Sequence, residues 1–207
     1  MKSNIVIIMS NNQITIVITS YKSENKIIKC LESIDKTYRV LLIENSNNHS
    51  LKNKIEKKFT NVKCILSQEN LGYAKGNNLG LSKVETPYAL IINPDTILRE
   101  DTIKNFFNIV SKIKNFAIIG PAIQDEKKLD NNFDKFTEVD LVKGFAMFLN
   151  IKEFDDIGFF DENFFIYLEE IDLCRRLRAN KKKIYVDPSI IVNHQGGSSH
   201  EKEYDYH

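Results

Sequence analysis

Three stretches of the chain hold residue types that can do chemistry. The first, YLEEIDLCRRL, runs from Tyr167 to Leu177 and sets Glu169, Glu170 and Asp172 among large apolar residues, with Arg175 and Arg176 directly after. A solvated helix face laced with ion pairs has this composition. So does a catalytic acid held in an apolar pocket, where burial raises a carboxyl pKa toward neutrality and makes a better base. At about 100° per residue, Tyr167, Leu168, Ile171, Cys174 and Leu177 form an apolar arc, and Glu169 and Asp172 fall on the other side near Arg176. Asp172 and Arg176 make an ordinary i, i+4 pair, worth roughly 0.3–0.5 kcal/mol when exposed. Glu170 points into the apolar arc between Cys174 and Leu177, where a solvated charge does not belong.

The second stretch is Asn93-Pro94-Asp95-Thr96. Its residue types suit a type I turn. They also set an acid at the exit of an apolar strand, where a hard cation such as Mg²⁺ would bridge it to substrate phosphates. His194 follows the apolar run IIVN and precedes GGSS. It suits either a surface position or a metal ligand on a mobile segment. The third stretch, NLGYAKGNNLGL, repeats glycine at 72, 76 and 80. A helix-interior glycine costs about 1 kcal/mol relative to alanine, a cost that makes sense where a backbone or a ligand packs closely. The spacing matches neither GxGxxG nor a P-loop, so neither phosphate fingerprint is supported.

These residues need elements to position them. With 207 residues and 42% apolar content the chain has enough material for one substantial core. A net charge of +1 offers no electrostatic footprint for nucleic acid. Three widely spaced cysteines (Cys30, Cys64, Cys174) fit neither a disulfide framework nor a zinc site and point to a reducing compartment. IVIIM is too short and wrongly flanked for a signal peptide, and no stretch reaches membrane-spanning length. A cytoplasmic protein is expected, with contact at the inner face of the membrane compatible with the sequence.

The apolar period alternates between strand and helix. Strands are predicted at 14–19, 39–44, 62–66, 88–92 and 116–120. Helices are predicted after Ser23 and over 51–59, 73–82 and 102–113. Such alternation gives an α/β fold, a Rossmann-like, mostly parallel central sheet with helices on both faces. Residues 124–140 read as a charged excursion. A mixed tail follows, with a short helix near 152–156, the helix from Tyr167, and short strands in KIYVD and IIVNH. Phe159, Phe160, Phe164, Phe165 and Tyr167 read as mainly core. Ligands of open α/β sheets bind beyond the carboxyl ends of the strands. That rim would carry Thr19, Ser20, Tyr21, Glu44, Asn45, Asn70, Gly72, Lys75, Asn77 and Asn93 as candidate substrate contacts, although such residues also end strands for turn geometry alone.

In order along the chain, ITIVITSY, LLIENSN, NLGYAKGNN, LIINPDTIL, VKGFAMF, GFFDENFFIYLEEIDLCRRL and NHQGGSS resemble family 2 glycosyltransferases of the GT-A fold, most closely their rhamnosyltransferase-like branch. The likeness covers about residues 13 to 200. It implies a nucleotide-sugar donor (a dTDP- or UDP-sugar), Mg²⁺ or Mn²⁺, a glycan or lipid-linked acceptor, and inversion at the anomeric carbon. It also implies a single domain over 1–207, with 13–95 the nucleotide-binding half and 96–207 the acceptor and catalytic half. By the same resemblance Thr19 to Tyr21 and Glu44 face the nucleotide, and Gly144 and Phe145 line the pocket. Asp95 is the aspartate of the DxD-type motif, His194 the second metal ligand, Glu170 the base and Glu169 its acidic neighbour. Three positions depart from the family pattern: Glu44 stands for an Asp, Asn93 for the first acid of DxD, and Glu169-Glu170 for Glu-Asp. A non-catalytic nucleotide-sugar-binding subunit and a nucleotidyltransferase on a similar sheet are the rival expectations.

Overall fold

The computed structural model describes residues 11–113, 115–122 and 135–194. Strand β1 (Ile14–Ser20) is a β-branched run buried at every position. It pairs in parallel with β2 (Arg39–Glu44) on one side and β4 (Tyr88–Ile92) on the other, and β3 (Val62–Leu66) extends the sheet beyond β2. Between these strands run α1 (Glu24–Glu32), α2 (His49–Lys58) and α3 (Gly72–Leu81). Asn48 caps α2 by accepting from the Leu51 N–H at 2.9 Å.

After β4 come the short β5 (Thr96–Leu98), α4 (Thr102–Val110), β6 (Ile118–Pro121), β7 (Thr137–Glu138), β8 (Ala146–Asn150), α5 (Glu169–Ala179), β9 (Ile184–Asp187) and β10 (Val192–His194). The main sheet has the order β3-β2-β1-β4-β8-β6-β9-β7, while β5 and β10 form a separate antiparallel ribbon. Strand β8 runs antiparallel between β4 and β6, and β7 antiparallel to β9; the other main-sheet pairings are parallel.

Side chains alternate across the sheet as strand geometry requires. Ile14, Ile16, Ile18, Leu90 and Ile92 pack on one face with α1, α2 and α4, where the Phe106 and Phe148 rings stack at 5.0 Å. Val17, Ala89, Ile91, Met147 and Leu149 pack on the other with α3 and α5. The expected two-faced, mostly parallel sheet is observed, and the predicted strands and helices fall within a few residues of those found. Three strands, β5, β7 and β8, escaped periodicity. β5 follows a turn signal and has three residues, and β8 lies in a run whose direction no local pattern encodes. Residues 124–134 of the predicted excursion lie outside the described residues, while its end supplies β7. All three cysteines are buried and free. Among the described residues no helix is long and apolar enough to cross a membrane.

The glycine row of α3 is a packing seam. A Cβ on Gly80 would stand 2.5 Å from Val17 Cγ1, and one on Gly76 would stand 2.5 Å from Thr19 Cγ2. Overpacking of this kind costs about 1–3 kcal/mol. Gly80→Ala regains about 1 kcal/mol of helix propensity, so the net fall in unfolding free energy in urea is expected to reach up to about 2 kcal/mol. A Gly80→Ala protein more stable than wild type by the full propensity gain would show that the helix does not need this close approach.

Candidate active site

The parallel register of β1 and β2 sets Ser20 beside Glu44 at the carboxyl rim. Several rim residues are committed to the fold. Thr19 Oγ1 donates to Asn77 Oδ1 at 3.0 Å, and Asn77 Nδ2 donates to the Tyr73 carbonyl at 3.0 Å. Asn45 Nδ2 donates to the Gly72 carbonyl at 2.9 Å. Asn70 Oδ1 accepts from the Gly72 N–H at 3.1 Å. Glu44 is wholly buried, and its carboxylate accepts from the Ser46 hydroxyl and N–H and from the Asn48 N–H at 2.6 Å. It is turned onto its own loop rather than outward, as a nucleotide contact would require.

At Gly72 (φ +75°) the close packing expected of these glycines comes from a backbone. The Phe165 backbone covers it, and the Phe165 carbonyl accepts from Tyr73 N–H at 2.7 Å, so chain rather than ligand fills its missing Cβ space. Ser20 Oγ and Asn45 Oδ1 are buried without a partner, and Tyr21 and Lys75 are exposed. Buried polar atoms without partners are rare and mark places where a ligand or water completes the bonding.

The Asn93–Thr96 turn closes through the Thr96 N–H, which donates to the Asn93 carbonyl at 3.2 Å. β5 then pairs with β10 so that Thr96 lies opposite His194. This register puts His194 Nε2 3.3 Å from Asp95 Oδ1. The Phe145 ring stacks on the His194 imidazole at 4.7 Å with an 8° interplanar angle, and the Phe145 carbonyl accepts from the Asn93 N–H at 3.0 Å.

An oxygen and a nitrogen about 3 Å apart have the spacing of two ligands on one ion with bonds of about 2.1 Å. Carboxylate plus imidazole suits Mn²⁺ or Mg²⁺, and the buried, unpartnered Asn93 Oδ1 lies in the same turn. Among the described residues no group of three or more His, Cys, Asp or Glu is assembled for a metal. The donor set fits an ion that takes its remaining ligands from phosphate and water.

At α5 Glu169 is buried where helix periodicity assigns it to solvent, and Glu170 is partly buried rather than enclosed in the apolar arc. The helix begins at Glu169, because Tyr167 (φ 69°) and Leu168 (φ 72°) are left-handed. These two leave the apolar arc and are 53% and 58% exposed. Glu169, expected on the solvent side, is 5% exposed with Oε2 unpartnered. Burial pushes its carboxyl pKa up, its own backbone N–H lowers it, and the nearby Glu170 charge adds to the rise. Glu170 is partly buried, with its side chain against Gly144, where an added Cβ would meet the Glu170 Cβ at 3.6 Å.

The Asp172–Arg176 pair forms at 2.7 Å, but it is not the surface pair expected. Arg176 is partly buried and also donates to the Ile157 and Phe159 carbonyls, which fixes the preceding turn. Phe160 is core, whereas Phe165 is 55% exposed. The sequence reading missed Tyr73, whose hydroxyl donates to the Gly144 carbonyl at 2.6 Å. Its ionisation is pushed upward by burial and by Glu169 and Glu170. Only the hydroxyl separates this residue from a core Phe in the sequence, and nothing local announces its partner.

The Asp95–His194 pair and Glu170 thus flank one dipeptide, Gly144-Phe145. The fold is GT-A. A mannosyltransferase of Pyrobaculum calidifontis solved with GDP-Man and Mn²⁺ superposes with a TM-score of 0.74 at 11% identity, over 87% of this chain and 56% of that one. Staphylococcus aureus TarS solved with UDP-GlcNAc superposes at 0.69 and 16% identity, over 93% and 62%. In sequence the chain is 26% identical to the low-salt glycan biosynthesis hexosyltransferase Agl10 of Haloferax volcanii, over 84% of this chain and 64% of that protein. It is 25% identical to the Escherichia coli rhamnosyltransferase WbbL, over 86% and 82%. Against a model of the glycosyl transferase family 2, residues 15–185 match, and the chain belongs to that family.

Proposed function

We propose that the chain carries the catalytic domain of an inverting, metal-dependent glycosyltransferase of glycan or cell-surface polysaccharide synthesis. The observation that carries this reading is the β5–β10 pairing. It brings Asp95 to His194 beside Phe145, one residue from the Gly144 that Glu170 packs against. Residues 13–95 serve as the nucleotide half and 96–207 as the acceptor half of a single domain. The donor is a nucleoside diphosphate sugar. A rhamnosyl donor is suggested by the WbbL likeness, and the acceptor is a glycan or lipid-linked glycan.

Glu170 takes the proton from the acceptor hydroxyl as that oxygen attacks the anomeric carbon. The C–O bond to the diphosphate breaks on the opposite face, and the configuration inverts. Asp95 and His194 would hold Mn²⁺ or Mg²⁺, which supplies positive charge to the departing diphosphate. Ser20 and Asn45 offer unpartnered oxygens to donors on the nucleotide. Burial raises the Glu169 carboxyl pKa and makes it the poorer anion, and Glu170, packed against Gly144, takes the role of base.

Two measurements test this. With a panel of nucleotide sugars and Mn²⁺, wild type is expected to release the nucleoside diphosphate. Glu170→Gln should lower turnover about 10²–10⁴-fold, the usual range for a lost general base, and Asp95→Ala should remove the metal dependence. Unchanged turnover in Glu170→Gln rejects the base, and release of pyrophosphate identifies a nucleotidyltransferase instead.

The second measurement concerns the Glu169 proton. A raised folded-state pKa leaves stability intact below the unfolded value and removes it as pH rises past that value. Glu169→Gln cannot ionise, so its melting temperature should exceed wild type by more at pH 7 than at pH 4. A pH-independent difference would show that folding leaves the Glu169 pKa where it stands in the unfolded chain.

A further inference from the structure

We propose that Tyr73 is a positioning residue whose hydroxyl sets the spacing between Glu170 and the Asp95–His194 pair. The inference rests on the catalytic reading above. Its structural basis is the Gly144-Phe145 dipeptide at the entry to β8, which touches both groups. On one side Gly144 packs against Glu170. On the other the Phe145 ring lies flat on His194. Two donors hold the dipeptide from outside its own strand, one to each carbonyl. The Asn93 N–H binds the Phe145 carbonyl, and the Tyr73 hydroxyl binds the Gly144 carbonyl at 2.6 Å.

The Asn93 donor comes from the turn that carries Asp95, so it fixes the dipeptide only relative to the candidate metal pair. Tyr73 is the donor from the other side. It stands on α3, and α3 is seated on β1 and β2 by Gly76, Gly80 and the Thr19–Asn77 hydrogen bond. Tyr73 therefore refers the dipeptide to the nucleotide half of the sheet. The phenol is buried beside both glutamates, and its ionisation is pushed upward. It remains a neutral donor throughout the working range and does not compete with Glu170 for the proton.

Without the hydroxyl the Gly144 carbonyl loses this partner, and the dipeptide can shift along the Glu170 side chain. Displacements of about 1 Å from productive geometry cost on the order of 10²-fold in rate. The Ser20 and Asn45 oxygens offered to the donor, at the ends of β1 and β2, are not bonded to this hydroxyl, and the Asn93 N–H still ties Phe145 to the turn of Asp95, so the loss falls mainly on kcat.

The test is Tyr73→Phe in the full chain, which keeps the ring in its edge contact with Phe160 (centroids 6.0 Å apart) and removes only the hydroxyl. kcat for transfer is expected to fall about 10- to 100-fold, with the donor KM unchanged within about twofold. Amide hydrogen exchange should quicken at Asn93 and at residues 144–146 and stay unchanged in β1. Phe160→Leu is the control. It removes the ring contact and leaves the hydroxyl, so it should lower the melting temperature and spare kcat.

Unchanged kcat in Tyr73→Phe overturns the proposal. So does a fall matched by Phe160→Leu, or one accompanied by a parallel rise in donor KM, since each marks general loosening of the fold. If wild type transfers no sugar at all, the glycosyltransferase reading fails, and the exchange rates at Asn93 and 144–146 still decide whether Tyr73 fixes the dipeptide.

Discussion

One strand laid against the prevailing direction holds the two halves of the molecule together. β8 is hydrogen-bonded to β4 on one edge and β6 on the other, antiparallel to both. Without it the sheet would end at β4, with a row of unpaired backbone groups that burial makes costly. Its five residues are all buried. Phe148 lies in a cluster of rings from α4, β4 and the β6 approach, with Phe106, Phe107, Tyr88 and Phe116 around it. Aromatic neighbours in offset and edge arrangements add attraction beyond area burial. The strand's rigidity passes to the residues just before it, and those are Gly144 and Phe145.

The two faces of the sheet are covered in different ways, and the candidate site lies where the difference matters. α1, α2 and α4 cover theirs with large aliphatic and aromatic side chains. α3 presses its glycines directly against Val17 and Thr19. Close approach sets the Tyr73 ring deep enough to reach the Gly144 carbonyl, and it lets Asn77 meet Thr19. A bulkier helix would stand off by the width of a side chain and leave those groups apart. Position 72 calls for glycine on two separate grounds: its φ is positive, and the Phe165 carbonyl occupies the space a side chain would fill.

Much of this was legible in the sequence, for physical reasons. β1, β2 and β4 are continuous apolar runs because both of their faces are buried, and α4 carries a strong apolar stripe for one face. Asp95 and His194 follow apolar runs, which left a turn or surface role and a ligand role both open, and the family resemblance is what joined them as a candidate pair. What could not be read depends on tertiary pairing. The direction of β8 follows from its neighbours, not from AMFLN. The burial of Glu169 follows from the face on which α5 packs, which carries Leu173 and Leu177 one and two turns further on, whereas the arc drawn from Tyr167 counted two residues that are not helical. Glu44 was legible as a rim residue, but its inward turn depends on Ser46 and Asn48 adopting a loop that offers it three donors.

The ribbon that joins Asp95 to His194 is three residues wide on each strand and separate from the main sheet. Nearly half the chain lies between its two strands. Contacts so distant in sequence carry a large loop-closure entropy, and short two-stranded ribbons are marginal by themselves. The main sheet can therefore complete its hydrogen bonding while this ribbon is still open. Local opening of β10 would then separate imidazole from carboxylate at a small fraction of the global unfolding free energy. During synthesis the pair comes into being only after the last described strand has left the ribosome, so the scaffold precedes its candidate chemistry in time as well as in sequence.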